Sequence, residues 1–244
     1  MSSPKVVNVQ EALEIAARLH EDGRLDEAEA VYQKALMGEP NNADALHGLG
    51  VLMVQWGQPD QAVPLLNKAL VSRPDFPLAY SHLGCAYQAL GRNDEALEAY
   101  EKAVQIDPAF VEGWNNLAIA LAGAGRLAEA EEKLLHAIRL WPEYAKAYDN
   151  LGVLLQQQGR LSEALRAYEQ SIKLDGGNPE SVENFKNALM LAGDAESYVA
   201  RFEKELAESI DQYERTLSEH PQVAEAHNNL GNALKEQHRY EDAI

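Results

Sequence analysis

The chain has 244 residues, of which 46% are hydrophobic, so it is long enough to bury a sizeable core. Its 39 acidic and 21 basic residues give a formal charge of −18, which argues against binding to nucleic acid or to an anionic membrane surface. The single cysteine, Cys85, excludes an intramolecular disulfide and a thiolate metal cluster.

The N-terminal sequence lacks the continuous apolar stretch of a secretory signal. No part of the chain approaches the roughly 18 consecutive apolar residues that a membrane-spanning helix needs. We therefore expect a cytoplasmic protein without membrane insertion.

A fixed period organises almost the whole sequence. Proline recurs every 34 residues at Pro40, Pro74, Pro108 and Pro142. Glycine recurs with the same spacing at Gly23, Gly57, Gly91, Gly125, Gly159 and Gly193, and alanine at Ala28, Ala62, Ala96, Ala130 and Ala164. Such self-similarity decides the architecture, because each period is one structural unit that stacks on the next.

The clearest copy of the period is the segment 78–108. It places Tyr80, Leu83, Gly84, Tyr87, Gly91, Ala96, Tyr100, Ala103 and Pro108 in the order of the tetratricopeptide repeat (TPR), a family that this sequence resembles from about residue 9 to its end. The resemblance implies an all-α fold, a right-handed α-solenoid of stacked 34-residue helix-turn-helix repeats.

The expected repeats follow a short lead-in, 1–8, which we expect to be disordered. The repeats cover 9–42, 43–76, 77–110, 111–144 and 145–178, followed by an irregular extended unit, 179–223, and an incomplete repeat, 224–244. In the first repeat, Gly23 is expected to end the first helix, and Asp26 with Glu29 to form a capping box for the second. Small residues at Gly50, Gly84, Ala118 and Gly152 are expected to let the two helices of each repeat approach closely.

The sixth unit is too long for one repeat. Its segment 194–220 contains neither Gly nor Pro, which indicates either one extended helix or a short extra helix before the second one. The seventh unit ends early in its second helix and would leave an apolar face uncovered. We expect that this is a fragment of a longer protein, or that its end packs on another molecule, including a second copy of the chain.

No motif indicates catalysis, a cofactor or a metal. The GAGR sequence at 123–126 is expected in a turn between helices and not after a strand, so it is not a phosphate-binding loop. His47 and His82 lie on successive first helices and could approach each other. Polar lining of a groove is the simpler interpretation of this pair, and a metal site the less favoured one.

An asparagine series points to binding. The sixth residue of the first helix, here called position six, is Asn116, Asn150, Asn184 and Asn229 in four units and His82 in another. The TPR resemblance implies that the first helices line a concave groove, where amides can both donate to and accept from the backbone of an extended peptide. The series resembles the asparagine ladder of O-GlcNAc transferase repeat domains. The alternative is that these amides only bond to neighbouring helices.

Acidic residues flank the same face. Position two carries Asp44, Glu112 and Glu180, and position five carries Asp149 and Glu183. Such a face should prefer a protein or peptide with Lys and Arg, although it is equally consistent with a solvated surface. The first hypothesis is therefore a non-catalytic protein-interaction scaffold. The alternatives are the N-terminal targeting domain of a larger enzyme, such as a glycosyltransferase, and a scaffold that self-assembles through its incomplete C-terminal repeat.

Overall fold

The computed structural model describes residues 9–193 and 195–219 together with the isolated positions 222 and 230. These residues form twelve α-helices and no strand, which confirms the all-α prediction. The helices are α1 (Val9–Glu21), α2 (Leu25–Gly38), α3 (Ala43–Gln55), α4 (Pro59–Ser72), α5 (Pro77–Ala89), α6 (Asn93–Ile106), α7 (Val111–Gly123), α8 (Leu127–Leu140), α9 (Ala145–Gln157), α10 (Leu161–Asp175), α11 (Pro179–Ala192) and α12 (Ala195–Glu219). The expected lead-in, 1–8, and Asn229 lie outside the described residues.

The recurrent glycine ends each first helix in the same way. Gly91 has a φ of +72°, in the left-handed region that glycine adopts without a steric penalty. The chain turns there, and the Arg92 N–H donates to the Tyr87 carbonyl at 2.9 Å. The equivalent residues Gly23, Gly57, Gly125 and Gly159 have φ values between +68° and +76°. The period therefore fixes where one helix stops and the next begins.

The predicted capping box of α2 is wrong. The tight turn at Gly23 starts the helix at Leu25, so Asp26 falls inside the first turn and Arg24 takes the N-cap position, where no side chain caps the helix. The Arg24 guanidinium instead pairs with Glu27 at 2.6 Å. The carboxylates of Asp26 and Glu27 lie in the first turn, where the positive end of the helix dipole favours negative charge. The same arrangement recurs at Arg92 with Glu95 and at Arg160 with Glu163.

Within repeats, the predicted role of the small residues is confirmed at three glycines. A Cβ on Gly84 would lie 2.6 Å from the Tyr100 ring of α6, and one on Gly152 would lie 2.5 Å from the Tyr168 ring of α10. A Cβ on Gly50 would lie 2.7 Å from Leu66 of α4. These glycines bring the two helices of a repeat together around a large, fully buried side chain.

The chain divides into two compact units, Met1–Arg126 and Leu127–Ile244. In the first unit each second helix packs between two first helices, and the first helices also contact one another, α1 with α3, α3 with α5 and α5 with α7. In the second unit α9 packs on α8 and α10, and it also contacts α11. Each unit therefore has a face on which consecutive first helices adjoin, which we call the first-helix face.

The extended sixth unit contains a single long helix. The structure has α12 as 25 residues, Ala195–Glu219, following α11 after Gly193. Over the described residues 195–219, the chain therefore follows the first of the two alternatives, one extended helix. Ile210, Tyr213 and Leu217 lie half-buried along it, at the spacing of one helical face.

Candidate functional site

Neighbouring first helices are joined by polar contacts with one recurring offset. Position five of one first helix contacts position six of the next, 35 residues later, and we call these the cross-repeat contacts. They include His47 with His82 between α3 and α5, Ser81 with Asn116 between α5 and α7, and Asp149 with Asn184 between α9 and α11. Three of the position-six residues predicted from sequence, His82, Asn116 and Asn184, therefore lie on the first-helix face. Each contacts a side chain of the preceding first helix.

The histidine pair forms the cross-repeat contact of α3 and α5. The Nε2 atom of His47 lies 2.9 Å from Nδ1 of His82, as close as one shared hydrogen bond allows. The Phe76 ring lies 4.8 Å from the His47 ring, and the Arg73 guanidinium lies 4.2 Å above that phenyl ring and pairs with Asp44. The predicted proximity of the two histidines is confirmed.

Both imidazoles are held in their neutral form. Burial lowers the pKa of His47 to about 3, helped by the neighbouring His82, Arg73 and His20. Burial also lowers the pKa of His82, although the Leu78 carbonyl opposes this shift. A cation at either ring would lose hydration without finding a carboxylate partner, since Asp44 is already paired with Arg73.

Asn116 is oriented on both sides. Its Nδ2 atom donates to the Ser81 hydroxyl at 3.2 Å, and its Oδ1 atom accepts from Nδ2 of Asn115 at 3.4 Å. Ser81 and Asn115 are buried, with exposed fractions of 3% and 2%. Since an amide offers two N–H groups and two lone pairs, these bonds fix the plane of the amide and leave one N–H and one lone pair for a ligand.

Asn184 is oriented by a carboxylate. Its Nδ2 atom lies 3.4 Å from both carboxylate oxygens of Asp149. Burial raises the pKa of Asp149, and the nearby charges of Glu180 and Asp175 act in the same direction, whereas hydrogen bonds from Asn184 and Ser181 lower it. The first-helix face of the second unit therefore concentrates negative charge around a half-buried amide.

The remaining predicted residues have different surroundings. Asn150 is half-buried at position six of α9 and has an interaction partner, and Glu112, Glu180 and Glu183 are exposed on their first helices. Asp44 is exposed too, but its carboxylate is engaged by Arg73. The acidic character expected of this face is therefore reduced at Asp44.

Sequence reasoning missed Ser81 and Asn115 as parts of the site. Both occupy position five, and the buried hydroxyl and amide orient Asn116. The 34-residue period aligns equivalent positions of the repeats. The contacts join residues 35 apart, because a side chain at position five of one first helix meets position six, and not position five, of the next first helix. Comparing position five with position six of the following repeat would have revealed the pairing.

The described residues contain no group of three or more His, Cys, Asp or Glu side chains arranged to hold a metal ion. In the same part of the chain, no helix combines the length and the apolar character required to cross a membrane.

Comparison with known proteins agrees with the helix pairs and their spacing. A family model described as the cilia and flagella-associated protein 70 C-terminal domain, a TPR domain, matches residues 5–244. The chain belongs to this TPR family. Such domains are in general non-catalytic scaffolds for protein interactions. No curated protein matches the sequence.

Several solved structures share the fold. The TPR protein TTC0263 of Thermus thermophilus is 23% identical, with a TM-score of 0.67, and the match covers 75% of this chain and 100% of that protein. PilF of Pseudomonas aeruginosa is 19% identical, with a TM-score of 0.68, over 90% of this chain and 95% of that one. YrrB, described as a TPR protein with an unusual peptide-binding site, is 23% identical, with a TM-score of 0.55, over 73% and 92%.

Proposed function

We propose that this TPR domain binds extended segments of a partner protein on the first-helix face of each unit. Position-six amides, Asn116, Asn150 and Asn184, would bond to the backbone of such a segment, with His82 in the equivalent place on α5 and Asn229 continuing the series by sequence. The observation that carries the proposal is the orientation of Asn116 and Asn184 by the preceding first helix. An amide held in place loses less entropy on binding than a free one.

The fold is suited to this task. Within each unit the first helices adjoin one another, so position-six side chains follow one another at the spacing of the repeats. An extended backbone presents N–H and C=O groups along its edge, and each oriented amide can satisfy one of each. The description of YrrB as a peptide-binding TPR protein supports the use of this fold for the same purpose.

The charge of the face suggests a basic partner. Asp149, Glu180 and Glu183 lie on α9 and α11, against only Lys146 and Lys186 on the same helices. A Lys or Arg of the bound segment would form charge-assisted hydrogen bonds there. The affinity should therefore fall as the salt concentration rises.

Finer parts of the prediction remain proposals. The resemblance of the amide series to O-GlcNAc transferase repeats, the absence of catalysis, self-association through 224–244 and a cytoplasmic location all stay predictions. The cilia and flagella in the family's description refer to the protein after which the family is named.

Peptide selection tests the proposal. A phage-displayed library of linear peptides is panned on the full chain, and each selected peptide is titrated against a variant carrying Asn116→Ala, Asn150→Ala and Asn184→Ala together. Three lost amides should weaken binding at least about tenfold, since each hydrogen bond contributes about 0.5–1.5 kcal/mol.

The matched control changes the same residue type on second helices. Asn67 lies on α4 and Asn93 at the start of α6, and both are exposed. Replacing these two by alanine should leave the affinity unchanged. Peptides that bind the triple variant as tightly as the natural chain, or no selected peptide at all, would contradict the proposal.

A further inference from the structure

The histidine pair occupies a place in the first-helix face where position six is histidine and not asparagine. His82 stands at position six of α5, whereas α7, α9 and α11 carry asparagine there. Its ring contacts His47 of α3 by a single N–N distance of 2.9 Å, and both residues are half-buried. The question is what chemistry two touching imidazoles offer to a bound segment.

Proton counting gives a definite answer. A neutral imidazole has one N–H and one lone pair. The contact uses the N–H of one ring and the lone pair of the other, whichever ring donates. The two nitrogens outside the contact, Nδ1 of His47 and Nε2 of His82, must then carry one N–H and one lone pair between them. The pair therefore presents one donor and one acceptor in either tautomeric state.

The groups around the pair keep it neutral. Arg73, the C-cap residue of α4, disfavours an imidazolium, and its charge is balanced by Asp44. His20 of α1 acts in the same direction as Arg73. The Leu78 carbonyl of α5 itself favours an N–H on His82, which biases the resting tautomer. Burial is the largest cause that disfavours a cationic ring at either position, so the donor–acceptor pair persists at neutral pH.

From this geometry we infer that the His47–His82 pair is a binding site for the backbone of the extended segment, with its two ends bonding to groups of different peptide units. This inference rests on the proposed function and assigns the α3–α5 part of the same face. One outward nitrogen donates to a backbone C=O of the segment, and the other accepts from a backbone N–H. Two side chains thereby supply what the single amide of Asn116 supplies one repeat later.

The pair differs from an asparagine in one respect. The amide of Asn116 has a fixed polarity, because Ser81 and Asn115 hold its two ends. The imidazole pair exchanges its donor and acceptor when the shared proton moves and the outer proton is exchanged with water. It therefore accommodates the segment in either chain direction, and the Leu78 carbonyl favours one of the two.

A ring substitution tests the site. The probe is a library-selected peptide whose binding is lost in Asn116→Ala, so that it is known to use the first-helix face of the first unit. His82→Phe keeps an aromatic ring but removes the nitrogens, and it should weaken this peptide about tenfold, the effect expected for one or two hydrogen bonds. His82→Asn restores the residue found in later repeats and should stay within about threefold of the natural chain.

The matched control is His136→Phe on α8, a histidine of a second helix, which should not change the affinity. Circular dichroism of each variant reports whether it folds. A second measurement needs no variant: in the ¹⁵N-labelled natural chain, two-bond ¹H–¹⁵N spectra at pH 7 should show neutral tautomers at His47 and His82. Addition of the peptide should then shift the resonances of Nδ1 of His47 and Nε2 of His82.

The outcomes separate the two ideas. If no selected peptide depends on Asn116, the inference fails; if none is weakened by the triple asparagine variant either, the proposed function fails with it. If such a peptide exists but binds His82→Phe with unchanged affinity, or leaves both outward nitrogens unshifted, only the inference is overturned. A cationic ring at pH 7 would also overturn it.

Discussion

The α3–α5 contact and the α9–α11 contact join equivalent positions of the repeat, yet their chemistry differs. The first is a pair of neutral imidazoles beside a compensated Arg73–Asp44 pair, and the second is a carboxylate, Asp149, that accepts from an amide. The offset of 35 residues is the same in both. The spacing is therefore a property of the helix stack, whereas the polarity of the face is set by the residues at positions five and six.

Both regions depend on the same close packing of the two helices within a repeat. Disrupting that packing should therefore produce the largest loss of stability. Gly84→Leu and Gly152→Leu would force a side chain into the Tyr100 and Tyr168 rings, and each should lower the free energy of unfolding by about 3 kcal/mol or more. Urea denaturation measures it. Gly123→Ala, where no atom lies within 4 Å of the added Cβ, is the control and should be neutral or slightly stabilising. If only one of the two substitutions lowers the free energy of unfolding strongly, the two regions do not share the same packing between the helices of a repeat.

Acid should destabilise the α3–α5 region. The folded pKa of His47 is about 3 and its ordinary value is 6.5, so the unfolded chain takes up the proton first as the pH falls. The stability contributed by the neutral ring is complete above pH 6.5 and decreases as the pH falls towards 3. We expect a loss of about 2–3 kcal/mol, less than the full shift implies, because the side chain is only half-buried.

Urea denaturation of the natural chain and of His47→Phe, each at several pH values, measures this loss. The variant should lack this component of the acid sensitivity. Parallel curves for the two chains across the whole range would contradict the neutral pair.

Asp149 should respond with the opposite sign. Burial raises its pKa in the folded chain, so the protonated form is the one that folding favours, and stability is lost as the pH rises through the folded pKa. Asp149→Asn should therefore stabilise the chain at pH 7 by at most about 1 kcal/mol, and the gain should vanish below the ordinary carboxyl pKa of 3.8. A constant difference at every pH would exclude the titration of Asp149 as its cause.

The smallest effect should come from the turn arginines. Arg92 pairs with Glu95 and stacks on the Tyr87 ring of its own repeat, whereas Arg160 pairs with Glu163 and also with Glu131 of α8, the second helix of the preceding repeat. Arg160→Ala should lower the melting temperature more than Arg92→Ala, and the difference should shrink in 1 M salt. Equal shifts at low salt would indicate that the Glu131 contact contributes nothing.

The sequence reveals the repeat and its turns because these depend on single residues with special properties. Gly91 must adopt a positive φ, and Gly84 must leave room for Tyr100, so both are visible as periodic glycines. The N-cap residue of α2 could not be predicted in the same way. Asp26 and Arg24 both lie close to the helix start, and the turn geometry, which decides between them, is not encoded in residue type.

The candidate site was predicted in part for a related reason. Asn116 and Asn184 are visible as a series, but their partners Ser81 and Asp149 depend on how far one helix is displaced along the next. That displacement results from the packing of whole repeats. The proximity of His47 and His82 could be expected, but the shared bond, and with it the donor–acceptor character of the pair, required the structure.

The most direct test of the central claim is a crystal structure of the full chain with a library-selected peptide. The account predicts an extended peptide on the first helices, with a backbone N–H or C=O within hydrogen-bond distance of the Asn116 or Asn184 amide. A peptide seated on the second helices, or one held on the first helices without any backbone bond to these amides, would contradict it.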